Sequence, residues 1–97
     1  PYLSNLVLKA GRTTLTLSPN FVRTTLNYSS NANGAPGVTV TPTAENSNAT
    51  IKVNGVTVQS GQPSDVINLH PGNNTVNVEV TSAGGGDTRN YVIIVTQ

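Results

Sequence analysis

The sequence predicts an all-β domain, an immunoglobulin-like antiparallel β-sandwich of two sheets with about seven or eight strands. Short blocks in which apolar and polar residues alternate recur along all 97 residues, and Gly, Pro, Asn or Ser closes each block. No stretch of about 11 or more residues repeats apolar side chains with the spacing of a helix. Strand-like blocks spaced by roughly ten residues favour a two-sheet sandwich over a closed barrel or a propeller blade.

Four strands are predicted in the first part of the chain. The stretch that follows the third, from Ser29 to Gly37, is rich in Asn and Gly, and we expect an exposed, mobile loop there. Because side chains alternate across a strand, the inward pairs are, in chain order, Leu6 and Leu8, Leu15 and Leu17, Leu26 and Tyr28, and Val38 and Val40.

A β-hairpin is predicted around Asn54 and Gly55. Asn-Gly between alternating arms is the strongest short-range hairpin signal, and a type I′ turn needs positive φ at both central residues. Gly adopts positive φ without steric cost, and Asn tolerates it better than most residues. The turn then fixes three cross-strand pairs: Val53 with Val56 and Ile51 with Val58 on the core face, and Lys52 with Thr57 on the solvent face.

Three more strands are predicted beyond the hairpin, from Val66 to Leu69, from Val76 to Val80 and from Tyr91 to Thr96. The turn formers Gly61 to Ser64, Pro71 to Asn74 and Ala83 to Asp87 precede them in that order. The last strand has apolar residues at every position from Tyr91 to Val95, with Tyr91, Ile93 and Val95 inward. Val92 and Ile94 therefore predict either cover on both sides or an outer face that meets a neighbouring domain.

Composition bounds the function. Hydrophobic residues make up 35% and aromatic residues 4%, so the core is expected to be thin and rich in Val, Leu and Ile. The net charge is +1 and the basic residues are scattered, which excludes a basic stripe for nucleic acid. No apolar run is long enough for a membrane helix, and the absence of Cys excludes disulfides and thiolate metal sites. The scattered basic residues are Lys9, Arg12, Arg23, Lys52 and Arg89.

We expect residues 1–97 to form one domain of a larger multidomain protein, because the chain opens at Pro1 without Met. Its uncharged surface, rich in Thr and Asn, favours an exported protein. Any targeting signal would lie outside these residues.

Short motifs spread over nearly the whole chain match the pattern of a known family. They are Leu3-Ser-Asn-Leu6, Leu17-Ser-Pro-Asn-Phe21, Tyr28, Val38-Thr-Val-Thr-Pro42, Val53-Asn-Gly55, Leu69-His-Pro-Gly72, Asn74, Val76 to Val80 and Tyr91. With these residues the chain resembles the cadherin-like β-sandwich domains of secreted and cell-surface proteins of bacteria. The two glycine turns and the final strand at Tyr91 are the most specific parts of the resemblance.

The resemblance implies an immunoglobulin-like accessory module with adhesive or spacer roles and no common catalytic residues. Physical roles follow for three of these positions. Pro19 should end an edge strand, Phe21 should plug one end of the sandwich, and Gly72 should supply a tight turn before Asn74. The Ser29 to Gly37 loop and the triple glycine at Gly84 to Gly86 depart from the family pattern.

No catalytic, cofactor-binding or metal-binding residue is predicted, and no cofactor is expected. His70 lies in a turn without a second histidine, a cysteine or a nucleophile to serve, so we expect an exposed turn residue. Calcium needs several oxygen ligands, and the acidic residues are isolated along the chain. Calcium bound at a junction with a neighbouring domain stays an open alternative. Asp87, which follows the glycine run, lies in the one acidic loop. The isolated acidic residues are Glu45, Asp65, Glu79 and Asp87.

Three further features of the sequence concern covalent modification or ligand binding: an isopeptide bond, a glycine run and glycosylation patterns. An isopeptide bond of the kind that locks some surface sandwiches would require Lys9, Asn90 and Glu79 to meet, whereas the simpler expectation is that Lys9 and Glu79 face outward. The glycine run before Asp87 is expected to be a hairpin tip and not a phosphate cradle, because no helix follows it. Three glycosylation patterns are expected to stay bare in a bacterial protein: Asn27-Tyr-Ser29, Asn48-Ala-Thr50 and Asn73-Asn-Thr75.

The function predicted is that of a non-catalytic structural or adhesive module of an exported bacterial protein, located outside the cell or on its surface. Its expected partners are neighbouring domains of the same chain and another surface protein or polysaccharide, with no nucleic acid and no membrane insertion. In isolation it is expected to be a monomer. The alternative is a carbohydrate-binding accessory module of a secreted enzyme, which would need exposed rings; Tyr2 and Phe21 are candidates, whereas Tyr28 and Tyr91 are assigned to the core.

Overall fold

The structure is a computed structural model that describes residues 1–97. Nine strands form a four-stranded sheet in the order β2-β1-β4-β7 and a five-stranded sheet in the order β3-β9-β8-β5-β6. The predicted two-sheet β-sandwich is confirmed, with nine strands in place of about seven or eight. The strands are β1 (Leu3–Ala10), β2 (Thr13–Leu15), β3 (Asn27–Asn31), β4 (Gly37–Ala44), β5 (Thr50–Val53), β6 (Val56–Val58), β7 (Ile67–Asn68), β8 (Asn73–Thr81) and β9 (Thr88–Thr96).

One strand pair departs from the predicted antiparallel arrangement. β3 lies parallel to β9, with Tyr28 beside Ile93. After β2 the chain leaves the four-stranded sheet, and an antiparallel bridge joins Ser18 to Ser29 at the edge of the five-stranded sheet. Pro19 follows directly on this bridge, where its missing N–H removes no ladder hydrogen bond.

The prediction of a mobile loop from Ser29 to Gly37 is wrong in its first part. Ser29 to Asn31 belong to β3, and Ser30 and Ala32 are buried. The Ala32 N–H donates a hydrogen bond to the Thr96 carbonyl (2.8 Å). This part of the strand is held by backbone pairing with β9. Because its side chains are mostly polar, the alternation of apolar and polar residues does not mark it as a strand.

A single core of 19 buried apolar residues lies between the sheets. The predicted inward side chains of the first four strand segments are buried, except that Leu26 is half-buried and lies just before β3. Leu3 is also buried, and a register shift between Leu3 and Asn5 allows both Leu3 and Leu6 to face inward. The alternation rule therefore locates most of the core.

The predicted hairpin is confirmed in its turn and its register. Asn54 and Gly55 have φ of 48° and 83°, as a type I′ turn requires, and all three predicted cross-strand pairs form. Val56 is an exception to the predicted core face, because 58% of it is exposed. It lies on β6, the outermost strand of its sheet, and the facing sheet ends in the two-residue β7, so little covers it.

The segment between β6 and β7 pairs with the edge of β4 through its backbone and its side chains. The N–H groups of Gly61 and Ser64 donate to the carbonyls of Pro42 (2.8 Å) and Val40 (2.7 Å). The Ser60 and Ser64 hydroxyls accept hydrogen bonds from the N–H groups of Ala44 (2.9 Å) and Val40 (3.0 Å). Pro42 lies between these two positions, where its missing N–H leaves no donor unpaired. The predicted strand from Val66 to Leu69 is therefore reduced to Ile67–Asn68, with Val66 63% exposed.

β8 and β9 form a long hairpin across the glycine run. Gly84 and Gly85 have positive φ, and the Ser82 N–H donates to the Asp87 carbonyl (2.8 Å), so the predicted hairpin tip is confirmed. On β9, the predicted inward residues Tyr91, Ile93 and Val95 are fully buried. The alternating Val92 and Ile94 lie on the outer face and are half-buried, with only β3 and β8 beside them in the sheet.

The strand directions define two opposite ends of the domain. At the Tyr2 end, defined by Tyr2, Glu45 and Arg89, β1 and β9 begin and β4 ends, and the Glu45 N–H donates to the Tyr2 carbonyl (3.0 Å). At the Gly72 end, defined by Gly72, Ala35 and Gln97, β9 ends and the Gln97 N–H donates to the Gly72 carbonyl (3.0 Å). The longest dimension of the domain is 39 Å.

Candidate functional site

A cluster of charged and aromatic side chains covers the Tyr2 end of the sandwich. The guanidinium carbons of Arg23 and Arg89 each lie 4.0 Å from the centroid of the Tyr2 ring. A cation over an aromatic face at this distance is attracted by the ring quadrupole. Three residues that are distant in the sequence are thus held together as one unit, the Tyr2 cluster.

Strand geometry explains why Arg89 belongs to this cluster. Arg89 is the second residue of β9 and pairs with Val80 of β8, a fully buried residue. It shares the inward side of the strand with Tyr91, but the core ends at this level, so Arg89 is only half-buried. Its guanidinium consequently emerges between the ends of the two sheets, beside Tyr2.

Arg23 is neutralised by Glu45. The Arg23 Nε and Nη2 groups donate to the two carboxylate oxygens of Glu45, the second at 3.0 Å, in the bidentate geometry that arginine favours. The hydrogen bonds from Arg23 lower the pKa of the Glu45 carboxyl below its ordinary value, and the same contact raises the pKa of Arg23. Both side chains are exposed, so solvent screens much of their attraction.

Two buried tyrosines fix the segment that carries Arg23. The Tyr91 hydroxyl donates to the Arg23 carbonyl and accepts from the Leu3 N–H (3.0 Å). The Tyr28 hydroxyl donates to the Val22 carbonyl (2.8 Å) and accepts from the Val22 N–H (3.1 Å). Burial raises the pKa of Tyr91, so its hydroxyl stays protonated and able to donate at neutral pH. These contacts hold Arg23 over the Tyr2 ring.

Phe21 packs under the same segment, in the role predicted for it at one end of the sandwich. Its ring centroid lies 6.0 Å from that of Tyr28 and 6.2 Å from that of Tyr91. Aromatic pairs at this separation stabilise each other beyond the area that they bury. Phe21 is half-buried against the core and does not stand free on the surface.

Arg89 differs from Arg23 in having no carboxylate partner, since the one ion pair in the structure joins Arg23 to Glu45. The Nε of Arg89 is buried and makes no hydrogen bond. An arginine offers five donors in a planar fork that matches a carboxylate or phosphate. In chemical terms, the Tyr2 cluster can therefore bind an anion, whereas it brings no nucleophile next to a base.

His70 lies at the other end of the domain, exposed in its turn as expected. Its Nδ1 is 3.3 Å from the Pro71 carbonyl, and its backbone N–H donates to the side chain of Asn74 (3.0 Å). The buried Asn74 amide donates in turn to the carbonyls of His70 and Val95. Gly72 has φ of 93°, which confirms the predicted glycine turn. These contacts give the Asn74 side chain a structural part in the turn.

The acidic residues stay apart in the fold. No group of three or more His, Cys, Asp or Glu side chains comes together. Asp87 is exposed in the loop between β8 and β9, and Asp65 is exposed before β7. Glu79 lies on the outer face of β8, where it is directly opposite Lys52 and Asn90 on the neighbouring strands.

The three residues weighed for an isopeptide bond lie on two different faces. Lys9 is exposed on the outer face of the four-stranded sheet, where it alternates with the buried Leu8. Glu79 and Asn90 are paired on the outer face of the five-stranded sheet. The core lies between Lys9 and the other two, so the fold keeps them apart. The asparagines of the three glycosylation patterns, Asn27, Asn48 and Asn73, are exposed.

The four aromatic side chains do not form the exposed row that a sugar-binding site uses. Tyr28 and Tyr91 are buried, as predicted, and Phe21 packs against both rings. Tyr2 is already in contact with two guanidinium groups. The largest surface groove, of about 630 Å³, is an open one lined by polar and apolar residues between Ala44 and Ser60, without an aromatic ring.

Sequence reasoning assigned Arg23 and Arg89 only to a scatter of basic residues and so missed the Tyr2 cluster. Its members are far apart in the chain, and no local motif links them. One signal was available for Arg89, because it lies two residues before Tyr91 and so is in step with the predicted inward positions Tyr91, Ile93 and Val95. A charged residue at such a position is unusual and marks the point where the core gives way to solvent.

Comparison with known proteins matches this chain to a family model. The family model described as the cadherin-like beta sandwich domain matches residues 3–97, which is nearly the whole chain. A search of curated proteins found no match. No helix of the structure is long and apolar enough to cross a membrane.

Proposed function

The chain belongs to the family of cadherin-like β-sandwich domains, and from that premise we propose that it is a non-catalytic structural module that spaces or joins its neighbours in an exported bacterial protein. The fold places Tyr2 and Gln97 at opposite ends of a body 39 Å long. Domains attached before Tyr2 and after Gln97 would therefore be held apart by the length of the sandwich. This placement of the two ends is the observation that carries the proposal.

The hydrogen bonds at both ends support a rigid connection. The Tyr2 carbonyl is bonded to Glu45, while the Gln97 backbone and side chain donate to the carbonyls of Gly72 (3.0 Å) and Ala35 (3.1 Å). The backbone is thus tied to the sandwich at Tyr2 and at Gln97. A load or a displacement applied to one neighbour would be transmitted through the sheets to the other.

The outer faces support a role at a cell surface or outside the cell. The outer face of the five-stranded sheet carries Lys52 opposite Glu79, and the rest of both outer faces is largely Thr, Asn and Ser. Such a surface is compatible with weak contacts to another surface protein. The proposed partners are therefore the adjoining domains first and another surface protein second, with the isolated domain a monomer.

The experiment that tests this proposal replaces the domain in its parent protein. One variant deletes residues 1–97, a second substitutes an unrelated rigid domain of similar length, and attachment, assembly and display at the surface are measured. We expect the deletion to lose function and the rigid replacement to restore it. If the replacement fails although the protein is displayed, the domain acts by adhesion and not by spacing. If the deletion changes nothing, the proposal is wrong.

The alternative of a carbohydrate-binding accessory module has no geometric support of comparable strength. Such a site needs an open aromatic platform, and each of the four rings is buried, packed against another ring or in contact with arginine. A positive polysaccharide pull-down that is lost on Tyr2→Ala would reverse this preference.

A further inference from the structure

We propose that the Tyr2 end of the sandwich is a carboxylate-binding site, in which Arg89 binds an Asp or Glu side chain of the protein that docks against this end. The proposal deepens the proposed function, on which it rests, by naming the chemistry of the partner. It concerns Arg89 and not Arg23, because Glu45 already occupies the fork of Arg23.

The first argument is the lack of partners for Arg89. None of its guanidinium nitrogens donates to a protein acceptor, and the buried Nε is the one buried side-chain nitrogen or oxygen in the structure without a hydrogen bond. Native proteins seldom leave a buried donor unsatisfied, because removing it from water is costly unless an acceptor replaces the water. Because the Nε is closed off from solvent, a carboxylate would accept from the two terminal nitrogens of the fork, which form no hydrogen bond with the protein either.

The second argument is that the guanidinium is held in place before any ligand arrives. Arg89 stands between the ends of the two sheets and its guanidinium lies over the Tyr2 ring. Stacking on a ring engages the face of the guanidinium and leaves the N–H groups around its rim free to donate. A side chain that is already positioned loses less conformational entropy when it binds.

The third argument is the charge of the site. Arg23 and Arg89 contribute two positive charges around one ring, and Glu45 compensates one of them. Among the side chains around the ring, the remaining positive charge is that of Arg89. A carboxylate bound to Arg89 would pair with its guanidinium one to one, as Glu45 pairs with the guanidinium of Arg23.

The test uses the 97-residue chain and two blocked tripeptides, one with glutamate in the centre and one with glutamine. Each is titrated while the NMR signal of the Arg89 Nε–H and the backbone signals around Tyr2 are followed. We expect saturable shifts with the glutamate peptide alone. Arg89→Gln should weaken the binding by about tenfold or more, because charged bidentate hydrogen bonds are lost.

Arg12→Gln is the matched control, since it removes one positive charge from an exposed turn at the opposite end of the domain. It should bind the glutamate peptide like the unchanged chain. Arg89→Lys covers the case in which Arg89→Gln does not fold, because it keeps the charge and the apolar stem but loses the fork. It should also bind more weakly than the unchanged chain.

The proposal is overturned if the glutamine peptide shifts the same signals equally, if no signal shifts, or if binding persists unchanged in folded Arg89→Gln or Arg89→Lys. Each of these results leaves the spacing role intact, since that role is measured by domain replacement in the parent protein. A failed replacement experiment combined with specific binding of the glutamate peptide would instead remove the spacing role and retain the site.

Discussion

Asn54 is bonded to Asn77 of the neighbouring strand through both its backbone and its side chain. The Asn54 N–H donates to the Asn77 carbonyl (2.9 Å), and the Asn54 Oδ1 accepts from the Asn77 N–H (2.8 Å). The turn residue therefore continues the β5–β8 ladder beyond Val53, the last paired residue of β5. The hairpin turn sets the pairing of β5 with β6 and is itself fixed to β8.

Gly55→Val is predicted to lower the free energy of unfolding by more than about 1 kcal/mol. A side chain at Gly55 would meet no atom within 4 Å, so crowding is not the cause; the φ of +83° is, because a β-branched residue resists that region. Thermal and urea unfolding measure the change. Thr57→Val, on the adjacent exposed strand β6, is the control and should unfold like the unchanged chain. If the unchanged chain, Gly55→Val and Thr57→Val had equal melting temperatures, the turn would tolerate negative φ at position 55.

Asn54→Gly is predicted to cost about 0.5–1.5 kcal/mol for a different reason. Glycine adopts the φ of 48° without strain but supplies no acceptor for the Asn77 N–H. Asn54→Asp keeps an oxygen at the Oδ1 position and should be less destabilised in urea unfolding at neutral pH. The bond to Asn77 contributes nothing if the glycine variant is as stable as the unchanged chain.

Ser64→Ala is predicted to cost about 1–2 kcal/mol, because it leaves the N–H of the fully buried Val40 without an acceptor. The serine hydroxyl takes the place of a neighbouring strand at this edge of β4. Ser47→Ala, at an exposed position, is the matched control. Urea unfolding measures the difference in the free energy of unfolding, provided that this free energy depends on urea concentration with the same slope in all variants. Indistinguishable curves for the two variants would show that water replaces the hydroxyl at Val40.

Acid is predicted to remove a stabilising contribution from the Arg23–Glu45 pair. The pKa of Glu45 in the folded state lies below its ordinary value of about 4.5, owing to the hydrogen bonds from Arg23. The contribution is therefore complete above that ordinary value and disappears as the pH falls through the lowered pKa. The melting temperature of Glu45→Gln should vary less with pH in this range than that of the unchanged chain.

Added salt provides a second readout of the same pair. Because both side chains are exposed, added salt should reduce the difference in melting temperature between Glu45→Gln and the unchanged chain. Glu79→Gln is the control, since it removes the same charge from a residue that forms no ion pair. An acid dependence that is the same in Glu45→Gln as in the unchanged chain would contradict the prediction.

The sequence predicted those parts of the fold that depend on local pattern. Alternation located the inward residues of β1, β4 and β9, and the Asn-Gly pair fixed the register of β5 with β6. It predicted a strand at Tyr28 but neither its continuation through Ser29 to Asn31 nor its parallel backbone pairing with β9. Parallel pairing joins segments that are distant in the chain, so no short-range pattern announces it.

The exposure of Val56 and the Tyr2 cluster were missed for a related reason. Alternation states which side of a strand a residue occupies but not how far the facing sheet extends over it. Val56 lies where that sheet runs out beside β7, and Arg89 lies where the core ends beside Tyr2. Both outcomes depend on the lengths and the relative positions of strands from opposite sheets.

Tyr91→Phe is predicted to lower the free energy of unfolding by about 1–3 kcal/mol while the core stays filled. The phenyl ring occupies the same volume, but the Leu3 N–H loses its acceptor and the Arg23 carbonyl loses its donor. Tyr2→Phe removes a hydroxyl from the partly exposed ring under Arg23 and Arg89 and is the matched control, with little expected effect on unfolding. Because the lost bonds tie Arg23 to the start of β1, Tyr91→Phe should also loosen the Tyr2 cluster. Faster hydrogen exchange at Leu3 would show this loosening directly, whereas equal stability and equal exchange in the two variants would mean that the Tyr91 hydroxyl holds neither segment.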